Sequence, residues 1–94
     1  MPPRVEFSQR ADQALERLPM DTQLRLMERL TRLQAAPRGP GSLKLEDFDG
    51  VWRVKVGDYR IAYTLHKNDD LIRVVQVGHR RDFYRRLRRL PYLH

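Results

Sequence analysis

The side chains that could do chemistry together lie between Arg53 and Tyr84. Arg53 and Lys55 are two residues apart in VWRVKV, so on an extended strand both point to one side. Arg60 follows the Gly57-Asp58 turn and joins them across a hairpin if it faces the same way. Arg80 and Arg81 come directly after the apolar run ending at Gly78. Like charges placed together raise one another's free energy. Two readings of such a cluster stand side by side. An anion joins it, and phosphate suits guanidinium well; or the cations pair with Asp58, Asp69, Asp70 and Asp82.

The residue inventory narrows the chemistry. His66, His79 and His94 show no metal-ligand spacing, and no carboxylate pair accompanies them. There is no glycine-rich phosphate loop, no Ser/His/Asp arrangement and no cysteine. No metal and no cofactor are expected, so phosphoryl chemistry here would be metal-free. RNA offers such a route, because the ribose 2′-hydroxyl can attack its own neighbouring phosphate. The protein must then align the groups, help remove the 2′ proton, neutralise charge on the phosphate and protonate the departing 5′ oxygen. Arginine and lysine supply charge. A lysine among cations can also serve as base, whereas arginine cannot. A ring such as that of Tyr84 can stack a base.

The charge distribution agrees with an anionic partner. The formal net charge is +7, and +5 of it falls between His79 and His94, where six arginines meet Asp82 alone. Residues 1 to 78 contribute only +2. Such a localised patch attracts a phosphate polyanion or an acidic protein; its bland alternative is a solvated helix face. The 94 residues suffice for one domain, 1–94. The N-terminus MPPRVEF has no apolar run of secretory type, and no segment is long and apolar enough to cross a membrane. The expected location is cytoplasmic, with no membrane partner.

The elements that must position these residues follow from pattern. Arg4 to Phe7 alternates as a short strand. Ser8 can cap a helix whose Ala11, Ala14, Leu15 and Leu18 share a face. Pro19 breaks it, and a second helix opens at Met20 or Asp21, with Leu24, Met27, Leu30 and Leu33 as its expected stripe and Leu26 on the flank. Pro37 to Gly41 forms a loop, and Leu43 to Phe48 reads as a surface segment. Three strands follow, Val51–Val56, Tyr59–His66 and Leu71–Val77, separated by turns at Gly57-Asp58 and Lys67–Asp70. The third is read with Leu71, Val75 and Val77 on one side. A terminal helix over Asp82–Leu90 places Phe83, Leu87 and Leu90 together, and Pro91 ends it. The fold class is α+β: an N-terminal strand, a helical hairpin, a three-stranded antiparallel meander and a short C-terminal helix, with the helices on one face of the sheet.

WRVKVGDYRIAY followed by VVQVGHRRDFY resembles the RelE-type toxins of the RelE/ParE superfamily, from bacterial toxin–antitoxin pairs. The resemblance spans nearly the whole chain, and is most specific at Val56–Arg60 and Val77–Arg81. It implies an endoribonuclease that cuts messenger RNA in the ribosomal A site by 2′-hydroxyl attack. It also implies a RelB-like antitoxin that wraps the toxin, with operator DNA bound only through that complex. Carried over by position, Arg53 and Lys55 match the paired basic residues of the first meander strand, with Lys55 as general base or phosphate clamp. Arg60 and Arg80 match phosphate and transition-state stabilisers, and Tyr84 the tyrosine that stacks on a base. Lys44, His79, Arg81 and Arg85 are the expected further RNA contacts, with His79 a second acid or base. Two departures stand out: arginine occupies position 53, where the best-studied members carry lysine, and the gap from Arg80 to Tyr84 is shorter. Rival readings are a ParE-like toxin, which shares the fold and poisons DNA gyrase, and a non-catalytic module that binds nucleic acid or antitoxin.

Overall fold

Ser8 both ends the first strand and starts the first helix. Its backbone N–H donates to Val74 O at 2.9 Å, the last rung of a strand ladder, while its Oγ accepts from the Ala11 N–H at 3.1 Å as a helix cap. In the computed structural model, which describes residues 1–90, the elements run β1 (Arg4–Phe7), α1 (Gln9–Glu16), α2 (Met20–Ala35), β2 (Leu43–Lys44), β3 (Val51–Val56), β4 (Tyr59–His66), β5 (Leu71–His79) and α3 (Arg80–Arg88). Pro19 separates α1 from α2, and Gln23 closes the corner by donating its side-chain amide to Leu18 O at 2.8 Å. This satisfies a carbonyl beside the end of α1 that helix geometry leaves open.

The sheet has the order β1-β5-β4-β3-β2. β1 lies parallel to β5, and every other pairing is antiparallel. Gly57, at φ 59°, takes the first position of the β3–β4 turn, where a left-handed residue is needed for a tight hairpin. One face of the sheet carries Val54, Ile61, Tyr63, Ile72, Val74 and Val77 against Ala11 and Leu15 of α1 and Leu26, Leu30 and Leu33 of α2. The α2–β2 loop is tied down from the same side. Tyr63 Oη donates to Pro37 O at 2.6 Å and lies 3.0 Å from the Ser42 hydroxyl. Arg38 makes a two-point pair with Asp69 at 2.8 and 3.1 Å while lying over the Trp52 ring.

The α+β class, the strand, hairpin, meander and terminal helix are as expected. The details differ in four places. First, the helices do not share one face. Phe83, Leu87 and Leu90 pack on the opposite side, with Phe48, Val51, Ala62 and Val75, so the sheet has a second, smaller core. Second, α2 turns Leu26, Leu30 and Leu33 inward and leaves Leu24 64% and Met27 43% exposed. The inward residues follow the i, i+4, i+7 spacing of a single stripe. Third, a bulge between Ala62 and Tyr63 shifts the β4–β5 register, which puts Val75 and Val77 in different cores. Fourth, Leu43–Lys44 is an edge strand and Phe48 is buried. Pro91, expected to end the last helix, lies outside the described residues. No helix among the described residues is long and apolar enough to cross a membrane.

Candidate active site

The β3–β4 register settles which cations share a face. Arg53 lies opposite Ala62 and Lys55 opposite Arg60. Directly paired residues point the same way, so Arg53, Lys55 and Arg60 stand together on the face that holds the smaller core. This face is half covered. Arg53 is only 8% and Arg60 9% exposed, while Lys55 is open to solvent.

The two buried guanidiniums are held differently. Arg60 donates through Nη1 to Gly57 O and to Tyr59 O, both at 2.9 Å, which pins its head to the turn. Arg53 keeps an Nε that is shut off from solvent and has no hydrogen-bond partner. Desolvating such a donor costs about 1–3 kcal/mol unless an acceptor arrives.

Arg80 reaches the same end of the sheet by another route. Its backbone N–H donates to Asp58 O at 2.8 Å, and its Nε lies 3.8 Å from Asp58 Oδ1. Asp58 therefore fixes Arg80 beside the turn that also anchors Arg60, a role the sequence marked only by offering Asp58 as a partner for the cations. Tyr84 packs against the smaller core and meets Phe83 edge-on at 4.9 Å between ring centres. It thus lies on the side of Arg53, Lys55 and Arg60. Tyr84 follows Arg80 by four residues, the spacing of neighbours on one helix face.

Other expected contacts are not brought to this face. Lys44 pairs with Trp52, whose ring belongs to the hairpin side. His79 pairs with Tyr59 and meets its ring edge-on at 5.5 Å, again on the hairpin side. His79 Nδ1 accepts from the Arg81 N–H at 3.2 Å, so the ring caps α3. Arg81 itself is exposed, and Arg85 is paired with Asp82 at 2.8 Å. On the basic face a proton-accepting nitrogen can come from Lys55, since guanidinium keeps its proton. Among the described residues, no group of three or more His, Asp or Glu side chains is placed to hold a metal ion.

The chain resembles a chain of the Escherichia coli RelBE toxin–antitoxin complex, with a TM-score of 0.70 and 22% identity over 80% of this chain and 93% of that one. It is similar to a chain of the RelBE2 toxin–antitoxin complex of Mycobacterium tuberculosis, with a TM-score of 0.72 and 23% identity over 84% and 99%. A chain of the archaeal RelE–RelB complex from Pyrococcus horikoshii gives a TM-score of 0.68 and 27% identity over 85% and 97%. No curated protein matches the sequence. The family model described as "ParE toxin of type II toxin-antitoxin system, parDE" matches residues 5–84, which contain every residue of the basic face. The chain belongs to the ParE toxin family of type II toxin–antitoxin systems, within the RelE/ParE superfamily.

Proposed function

We propose that this toxin is a ribosome-dependent, metal-free endoribonuclease that cuts messenger RNA at A-site codons and so stops translation. The observation that carries the reading is Arg53, a buried arginine with an unpartnered Nε, register-locked on one face with Lys55 and Arg60. A phosphodiester on that face accepts from the guanidinium and ammonium groups gathered there. In the reaction the 2′ oxygen bonds to phosphorus as the bond to the 5′ oxygen breaks, leaving a cyclic phosphate and a free 5′-hydroxyl. Arg53, Arg60 and Arg80 offset the charge that grows on the phosphate oxygens. Lys55 takes the 2′ proton or clamps the phosphate, the departing 5′ oxygen takes a proton from solvent, and Tyr84 stacks on a flanking base. The ribosome supplies the rest of the alignment, so naked RNA should be cut poorly. A RelB-like antitoxin is the expected partner, in keeping with the antitoxin complexes in which the similar toxins were solved.

A second reading is inhibition of DNA gyrase, favoured by the match to a ParE family model. Primer extension on a translated transcript, after induction of the chain, separates the two. Codon-phased cuts that vanish in Lys55→Ala and Arg80→Ala support the nuclease. Intact transcripts together with blocked DNA supercoiling assign the toxin to gyrase.

A further inference from the structure

A second basic site lies on another part of the molecule. β1 ends opposite Val74, so β5 from Val75 to His79 has no strand beside it on that edge. There α1 and α3 flank a cleft of about 240 Å³ walled by Arg10 and Arg17 from one helix and Arg86 and Arg89 from the other. Among the described residues none of these four guanidiniums has an ion-pair partner. Gln76 lines the cleft, is 2% exposed, and has an Oε1 with no hydrogen-bond partner. A second hollow of about 250 Å³ shares Arg17 and Arg86 and continues to the rings of Tyr59 and His79.

These features ask for one ligand with two properties. Four unpaired guanidiniums call for anions. A buried carbonyl oxygen without a donor calls for a hydroxyl or N–H on the same ligand. The cleft is smaller than the roughly 300–1,000 Å³ of a small-molecule pocket, and it runs on as a groove toward aromatic rings. A basic groove with rings along it is how single-stranded nucleic acid is held. The hydroxyl that separates RNA from DNA is the ribose 2′-OH. We infer that the α1–α3 groove is a second RNA site, holding backbone phosphates on Arg10, Arg17, Arg86 and Arg89 and a ribose hydroxyl on Gln76 Oε1. Its walls share no residue with the Arg53–Lys55–Arg60 cluster, and it stands whether or not that cluster cuts RNA.

The test uses the full chain carrying Lys55→Ala and labelled single strands of about ten nucleotides, read by fluorescence anisotropy. RNA should bind more tightly than DNA of the same sequence. Arg10→Ala with Arg89→Ala, both exposed positions, should weaken RNA binding about tenfold and flatten the salt dependence by about 1.4 in log–log slope. Gln76→Met, which keeps the bulk and removes the unpartnered oxygen, should fold as well as its parent and bind RNA and DNA alike. The inference is overturned if the arginine pair leaves RNA affinity unchanged, or if the parent binds RNA and DNA equally. A glutamate peptide of equal charge binding more tightly than RNA would also overturn it, by assigning the groove to an acidic protein.

Discussion

Arg53 is kept in place against its own solvation. Its 8% exposure and unpartnered Nε destabilise the fold. Arg53→Met, of similar length and without the polar head, is expected to gain about 1 kcal/mol in urea unfolding while losing activity in the transcript assay. Lys55 is separable by a gentler change. Lys55→Arg keeps the charge and removes the base, so a loss of about 100-fold in cleavage rate would identify Lys55 as base, and near-normal cutting would identify it as clamp. Tyr63 sets an alkaline limit. Burial pushes its phenol above the ordinary tyrosine range, against smaller opposing pulls from Ser42, Arg29 and Arg38. The folded state thus favours the neutral phenol. Its contribution is fully present below the unfolded tyrosine value and is lost as pH rises through the folded one. Tyr63→Phe should flatten that alkaline loss in thermal melts and cost about 1 kcal/mol at neutral pH, where Pro37 O loses its donor. At this scale the sequence was half legible. Strand phase told which cations share a face, but alternation of Val with Arg and Lys reads as a solvated surface. The burial of Arg53 depends on partners such as β2 and Ala62 of β4 that lie elsewhere in the chain.

The terminal helix shows why element placement is harder to read than element existence. The spacing of Phe83, Leu87 and Leu90 announces an apolar stripe, yet a stripe does not say which face of a sheet it covers. The answer lay in Val51, Ala62 and Val75, which form an apolar patch opposite the hairpin core, while the β4–β5 bulge returns Val77 to the hairpin side. Each phase of LIRVVQV carries one polar residue, Arg73 or Gln76, so the bulge left no local mark. Arg10 and Arg17 drew no notice in the sequence. Seven residues apart, they share a helix face, but their meeting with Arg86 and Arg89 depends on α3 crossing to the far side. Leu87 is fully buried in the smaller core, so Leu87→Ala should cost about 2–5 kcal/mol in urea unfolding. It should also loosen Tyr84 and the cover beside the basic face.

Across the whole molecule, β5 lies between β1 and β4, and β1 pairs its residues 4–7 with residues 71–74. Contacts between such distant parts of a chain form late, because a long loop must close first. A chain stopped at His66 has the helical hairpin and two meander strands but nothing for β1 to pair with. It should show no cooperative urea transition by circular dichroism. Biosynthesis therefore has a built-in order. The first strand to be made must wait for the last, and neither the Arg60–Arg80 end of the sheet nor the groove along β5 exists until that strand is present. The basic face is complete only once β5 and the α3 that follows it, with Arg80 and Tyr84, have both been made.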